Sequence, residues 1–319
     1  MAQVRPEKQV MRQLWLDIAE KVADESRGKE PLYLTLPGAE GLDIASFIER
    51  GLIRTTENGG IHEQDTDLIV AVESDRSAYL AVKKQYPGLV VLEERFENVL
   101  QGKSSLRYPT GRHLNAAKAR IVNLDLNEPL GAKVRPDGGL AIELMAILAK
   151  LAQLHAEPEG RRWWLFLTLH GEVTWDVKTC TLISQYLQQN LERSSKYTTC
   201  LTSLVGADLV GKLKQGTPVN FKRLAGDIQQ KIIMALVPKR IAFATHQQGW
   251  RIETAENIRY GGVLQRAPMT SWMLEFIPDA STSVNPQAAY LASVESSIVR
   301  TRHILEDGET IVECHDVED

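Results

Sequence analysis

The chain has 319 residues and a formal net charge of −4 at pH 7, with 43% hydrophobic and 24% charged residues. This composition is ordinary for a soluble globular protein, and the length allows one large domain or two. No apolar run reaches the roughly 18 residues that a membrane-spanning helix needs, so we expect no such helix and a soluble protein is the default expectation.

Alternating helices and strands are predicted in the first third of the chain. Apolar residues recur every four positions in residues 6–28, which predicts an amphipathic helix. Short apolar runs at 32–36, 68–72 and 89–92 are predicted strands, with helices between them. Such alternation predicts a doubly wound, mostly parallel α/β sheet, whose ligands bind at the carboxyl ends of the strands.

The later segments predict the rest of the sheet and a helical insertion. Strands are predicted at 119–126 and 163–169, separated by a strongly apolar helix, and further strands at 241–245, 250–260 and 271–277. A closing hairpin is predicted at 303–305 with 310–313. Residues 176–236 are helical in pattern and longer than one crossover needs. We therefore expect four parts: an N-terminal helix (1–30), a Rossmann-like cofactor-binding core (31–175), a helical insert or lid (176–236) and C-terminal strands that complete the sheet (237–319).

The predicted strand ends carry residues that suit a nucleotide ligand. The first strand is followed by a turn whose glycines let a ligand approach the backbone, and the next helix offers free N–H groups; the turn is Leu36-Pro37-Gly38-Ala39-Glu40-Gly41. Glu73-Ser74 ends the second strand, where an acid can accept hydrogen bonds from two ribose hydroxyls. Arg95 and Phe96 follow the third strand, where a side chain usually contacts the adenine of a nucleotide ligand. Alternatively, the glycines form a plain turn and Glu73 is a surface acid.

The dinucleotide fingerprint is absent, because the turn lacks G-x-G-x-x-G and Glu73 lies 35 residues after Gly38 rather than about 20. The layout instead resembles the class I S-adenosylmethionine-dependent methyltransferases over roughly residues 30–175 and the late hairpin of 250–260 with 271–277. This resemblance implies a seven-stranded sheet and S-adenosylmethionine bound by the glycine turn, Glu73-Ser74, Arg95, Phe96 and Asn123.

The resemblance also implies a catalytic motif. Its position is occupied here by Asn123-Leu124-Asp125 and Asn127-Glu128-Pro129-Leu130. Asp125 or Asn127 would accept hydrogen bonds from a target amine and aim its lone pair at the methyl group. Two departures from the family pattern stand out. Thr35-Leu36-Pro37 replaces the acid that usually precedes the glycines, leaving only Glu40 nearby, and no aromatic residue follows Pro129.

His170 follows the fifth predicted strand, where it is a candidate general base. Alternatively, His170 is a polar loop residue and Asp125 braces the loop before Pro129. The acceptor is expected over Asp125, Asn127 and His170, beneath the helical insert. Nucleic acid is the first acceptor class to test, because basic residues concentrate at 98–124 and 211–240 while acids are scarce there.

The sequence therefore predicts a methyltransferase-like protein with an unidentified acceptor. One alternative is a catalytically inactive methyltransferase-like subunit of a protein or nucleoprotein assembly; another is an α/β enzyme that uses a different nucleotide. The odd number of distant cysteines argues against a disulfide framework, and Cys314-His315 lacks the second ligand pair of a metal site. With no apolar signal core near the N-terminus, we expect a cytoplasmic location.

Overall fold

The computed structural model describes residues 6–25, 31–101, 116–130, 140–156, 160–173, 177–261, 268–279 and 300–314. Its strands, numbered in chain order, are β1 (Tyr33–Thr35), β2 (Ile69–Glu73), β3 (Val90–Glu93), β4 (Ile121–Leu130), β5 (Trp163–Val173), β6 (Trp250–Tyr260), β7 (Met269–Pro278), β8 (Arg300–Ile304) and β9 (Thr310–Cys314). Its α-helices are α1 (Pro6–Glu25), α2 (Leu42–Glu49), α3 (Arg76–Gln85), α4 (Phe96–Leu100), α5 (Leu140–His155), α6 (Val177–Arg193), α7 (Ser195–Val205), α8 (Ala207–Lys214) and α9 (Gly226–His246). None of these helices is both long and apolar enough to cross a bilayer.

The strands are hydrogen-bonded in the order β3-β2-β1-β4-β5-β7-β6-β8-β9. The predicted α/β class is confirmed, but the described residues form a sheet of nine strands rather than the seven expected, because β8 and β9 extend it beyond the β6–β7 hairpin. The chain divides into two compact units. Most of the first unit is Lys8–Asp125 with Trp163–Phe166, and most of the second is Leu126–Arg162 with Leu167–Asp319.

The first unit contains a topological switch point. Strand β1 is parallel to both β2 and β4, and β2 is parallel to β3. The chain therefore winds outward from β1 through β2 to β3 and then returns to the other side of β1 as β4. Because the connections on the two sides of β1 diverge, a crevice is expected at the carboxyl ends of β1 and β4, where ligands of doubly wound sheets bind.

Apolar burial explains why these elements form in the first unit. The residues of β1 are fully buried, and Tyr33 contacts Phe47 of α2 with ring centroids 4.4 Å apart. Helix α1 buries Trp15, whose ring stacks on Phe166 at 5.9 Å. Helix α3 begins at an Asp75 N-cap, whose carboxylate accepts the N–H of Ala78. The amphipathic helix expected at 6–28 is thus α1, ending at Glu25.

The second unit contains the predicted late hairpin. Strands β6 and β7 are antiparallel, β8 is parallel to β6, and β9 is antiparallel to β8. Residues 269–276 of β7 are all buried, including the polar residues Thr270, Ser271 and Glu275. Two strands are longer than predicted: β4 includes Asn127-Glu128-Pro129-Leu130, and β5 continues to Val173, so that His170 lies inside the strand instead of after it.

The strand predicted at 241–245 is wrong, because these residues belong to α9, which continues through Pro238. A proline inside a helix removes the hydrogen bond to the carbonyl four residues earlier, here that of Met234. The Met234 carbonyl instead accepts hydrogen bonds from Asn257 Nδ2 at 3.0 Å and Trp272 Nε1 at 3.3 Å. These two side chains compensate for the missing N–H group and allow the helix to continue.

Candidate functional site

A group of polar side chains meets at the carboxyl end of β1 in the first unit. The Thr35 hydroxyl donates a hydrogen bond to the carboxylate of Asp43, the second residue of α2. The Tyr33 hydroxyl lies 3.4 Å from the same carboxylate oxygen and accepts a hydrogen bond from Asn123 Nδ2 at 2.6 Å. Asn123 comes from β4, so this cluster joins the two strands of the switch point. We call these four residues the Asp43 cluster.

The electrostatics of the Asp43 cluster favour a positively charged ligand group. Burial raises the pKa of Asp43, hydrogen bonds from Thr35 and the Ile44 N–H partly oppose this shift, and the nearby Asp125 carboxylate raises it further. Neither carboxylate forms an ion pair with any residue that the structure describes. A ligand cation would therefore relieve an unfavourable concentration of negative charge.

The hydrogen bonds of the Asp43 cluster also favour a ligand that carries N–H donors. Asn123 is 1% exposed, and its Oδ1 atom is buried without a hydrogen-bond partner. Burial, together with the Asp43 charge, holds the pKa of Tyr33 well above its usual value, so this hydroxyl stays protonated. Because buried polar atoms in native proteins are nearly always paired, the surplus acceptors suit a ligand with N–H donors.

The two glycines of the turn have different environments. Gly38 has a φ of 60°, and a Cβ built there would meet no atom within 4 Å. Gly41 has a φ of 55° and is the N-cap of α2, and a Cβ there would lie 2.7 Å from Cε2 of Tyr86. The Tyr86 hydroxyl donates to the Gly41 carbonyl at 3.1 Å, and burial raises the pKa of Tyr86 to about 12. Gly41 is therefore required for packing, whereas Gly38 leaves the backbone open to a ligand.

The remaining residues of the turn do not join the Asp43 cluster through hydrogen bonds. Leu36 and Pro37 are half-buried, while Ala39 and Glu40 are exposed. Glu40, the acid nearest to the glycines in sequence, forms no hydrogen bond with the residues of the cluster, whereas Asp43 bonds directly to Thr35. The acid at this strand end thus comes from α2 rather than from the turn.

Strands β2 and β3 lie side by side and each ends in a glutamate, but only one of the two glutamates forms an ion pair with a described residue. Glu73 and Glu93 are register partners. Glu93 forms an ion pair with Arg76, whereas Glu73 accepts the Asp75 N–H through Oε1 at 2.8 Å. Among the described residues, nothing hydrogen-bonds to Oε2 of Glu73, which therefore remains available to a ligand hydroxyl.

Other predicted cofactor and acceptor residues lie on several elements. Ser74 and Arg95 are exposed after β2 and β3, and Phe96 is 8% exposed at the start of α4. Asp125 is half-buried on β4 in the first unit. Asn127 and His170 belong to the second unit, on β4 and β5, and the Asn127 side chain lies outside the described residues. A common acceptor site for these residues remains a prediction.

Asp43 is the site residue that sequence reasoning missed. The available signal was an acid in the first turn of the predicted helix, close to a strand end that lacked its expected acid. Sequence spacing alone does not show whether Glu40 or Asp43 points back to Thr35. In the described parts of the chain, no group of three or more His, Cys, Asp or Glu side chains could hold a metal ion.

Comparisons with known proteins identify a family but no activity. No curated protein matches the sequence. One matching solved structure is the Type IIL restriction-modification enzyme MmeI in complex with DNA, at 10% sequence identity and a TM-score of 0.30. The match covers 94% of this chain but only 36% of that chain, and a TM-score this low carries no conclusion about fold or function. The family model described as PP_RS20740-like matches residues 4–317, nearly the whole sequence. The chain belongs to the PP_RS20740-like family.

Proposed function

We propose that the protein binds S-adenosylmethionine at the carboxyl ends of β1 and β2 and transfers its methyl group to an acceptor. The observation that carries this proposal is the Asp43 cluster, an acceptor-rich site at a topological switch point, where neither Asp43 nor the neighbouring Asp125 forms an ion pair with a described residue. S-adenosylmethionine has a cationic sulfonium and a cationic ammonium group, which match this charge. The parallel core and the β6–β7 hairpin agree with the layout that the family resemblance implies.

Different residues would bind different chemical groups of S-adenosylmethionine. Asp43 and Asn123 offer acceptors to an ammonium group, and Gly38 leaves room for the ligand to approach the turn. Glu73 has one free carboxylate oxygen for ribose hydroxyls. The exposed Arg95 follows β3, where the resemblance implies the adenine end of the ligand.

The proposed reaction needs little from the protein beyond positioning. The cofactor supplies an activated methyl group. Asp125 and Asn127 would accept hydrogen bonds from an acceptor amine and orient its lone pair. His170 would receive the proton that the amine loses, as a general base does.

Calorimetric titration with S-adenosylmethionine and S-adenosylhomocysteine tests the cofactor proposal. We expect one-site binding to the wild-type chain, weakened by about tenfold or more, or roughly 1.4 kcal/mol, in Glu73→Gln. Glu93→Gln is the matched control, because Glu93 occupies the register position next to Glu73 but is already paired with Arg76. A folded sample that gives no heat with either ligand would contradict the proposal.

The second candidate is a catalytically inactive methyltransferase-like subunit of a larger assembly. It is favoured by Leu130, which follows Pro129 at the end of β4 where amino-methylating members of the resembled family have an aromatic residue. Under this alternative, the purified chain binds neither ligand and co-purifies with a partner.

A further inference from the structure

The basic residues at 211–240 do not share one environment. Lys239 is 2% exposed, with Nζ 5.3 Å from the centre of the Tyr197 ring. Arg240 stacks over Tyr186 at 4.0 Å, and Lys231 is half-buried. These three residues therefore contribute to packing within the second unit, and only part of the basic stretch at 211–240 is exposed.

The described basic side chains of the stretch at 98–124 are also less exposed to solvent than the sequence indicates. Arg120 is 5% exposed and Lys118 is half-buried. The other basic residues of this stretch lie outside the described residues: Lys103, Arg107 and Arg112. Charge reversal at Arg120 would therefore perturb the core and is not a test of surface binding.

Four exposed cations remain in the last turn of α8 and in the connection to α9: Lys212, Lys214, Lys222 and Arg223. We call residues 212–223 the cationic segment. Residues 209–226 contain no acid. Within the described part of the chain, none of the four side chains has an ion-pair or hydrogen-bond partner. The positive charge of this segment is thus locally uncompensated, although the protein is acidic overall.

Interaction with the helix dipole explains only half of this charge. Lys212 and Lys214 lie in the last turn of α8, where cations are favoured by the exposed carbonyls. Lys222 and Arg223 lie in a 3₁₀ turn outside that helix. They need another explanation, either simple solvation or a negatively charged partner.

The backbone of the cationic segment is held in place. Phe221 is fully buried beside Lys222, and Leu213 is 2% exposed between the two lysines of α8. The Thr217 N–H bonds to the Lys212 carbonyl at 3.0 Å, and the Arg223 N–H bonds to the Asn220 carbonyl at 3.0 Å. A partner would therefore meet cations on a preorganised backbone, which lowers the entropic cost of binding.

We propose that the cationic segment contacts the phosphate backbone of a nucleic acid without reading its sequence. Its one aromatic residue, Phe221, is buried and cannot stack on a base. Lysine and arginine contacts to phosphate position a protein on nucleic acid but carry no sequence information. A lipid surface fits less well, because interfacial segments insert large exposed apolar side chains, whereas Leu213 and Phe221, the largest apolar residues of this segment, are buried. The inference does not depend on the methyltransferase proposal.

Fluorescence anisotropy on two short DNA duplexes of unrelated sequence tests this inference. We compare the full-length wild-type chain with Lys222→Gln/Arg223→Gln and with the control Lys83→Gln/Lys84→Gln, which removes two adjacent exposed lysines from α3. We expect the first variant to lose about tenfold in affinity for both duplexes and the control to retain it. The slope of log affinity against log salt should also fall by about 0.9 for each phosphate contact removed.

Two results would overturn the proposal. One is an unchanged duplex affinity and salt slope in Lys222→Gln/Arg223→Gln. The other is binding to phosphatidylserine vesicles that depends on these two residues, with no binding to either duplex. Calorimetry with S-adenosylmethionine on the same variants separates this test from the cofactor proposal, because neither variant changes a residue of the proposed cofactor site.

Discussion

The hydrogen bond from the Thr35 hydroxyl to the Asp43 carboxylate places an acid at the carboxyl end of β1, although β1 contains none. The carboxylate comes from the first turn of α2, which begins directly after the glycine turn. The resembled family usually has an acid before the glycines of the turn, and this chain has none there. Asp43 supplies a carboxylate at the same strand end from a later position in the sequence. The same arrangement leaves Asp43 close enough to Asp125 for the two charges to repel.

The raised pKa of Asp43 predicts a specific loss of stability with pH. Because the folded chain holds this proton more tightly than the unfolded chain, the free energy of unfolding falls as pH rises from the ordinary carboxyl value through the raised one. Asp43→Asn keeps an acceptor for Thr35 and removes the titration. Urea unfolding of the ligand-free protein between about pH 4 and about pH 8 should therefore show a smaller decline in the variant. Glu40→Gln, an exposed control in the same turn, should retain the wild-type profile.

The two glycines of the turn should respond differently to alanine. Both have positive φ, so either substitution should cost about 1–2 kcal/mol of backbone strain. Gly41→Ala should cost more, because its Cβ would lie 2.7 Å from the Tyr86 ring. Gly38→Ala should weaken S-adenosylmethionine binding beyond its effect on stability, because the new methyl group would occupy the open face of the turn. Thermal unfolding and calorimetric titration of both variants separate these effects; equal unfolding costs would contradict the steric assignment to Tyr86.

Local patterns in the sequence predicted most of the elements that position the candidate site. The alternation of apolar strands with helices located β1, β2 and β3, and the late β6–β7 hairpin followed from its apolar runs. Tertiary contacts decided the elements that were missed. Nothing near Pro238 in sequence indicates that Asn257 and Trp272 will satisfy the Met234 carbonyl, and nothing near Thr35 selects Asp43 over Glu40.

The contact between Asn257 and Met234 predicts a rescue by a second substitution. Asn257→Ala removes a buried donor to the Met234 carbonyl and should lower the free energy of unfolding by about 2 kcal/mol. Pro238→Ala restores the backbone N–H that normally bonds to this carbonyl. The cost of Asn257→Ala should therefore be smaller in a Pro238→Ala background. Denaturant unfolding of the two single variants and the double variant measures this coupling, and strict additivity would show that Asn257 does not replace the missing helix bond.

Loss of methyl transfer without loss of cofactor binding would identify acceptor residues. If His170 receives the acceptor's proton, His170→Ala should slow labelled methyl transfer to total RNA or DNA by about 10² to 10⁴. Affinity for S-adenosylmethionine should stay within about twofold, because the residues proposed to hold the cofactor are unchanged. Asn127→Ala should behave in the same way, since its proposed role is to orient the acceptor. His62→Ala, which changes a half-buried histidine of the first unit, is the control. Equal transfer rates for His170→Ala and the control would make His170 a polar residue of β5 without a catalytic role.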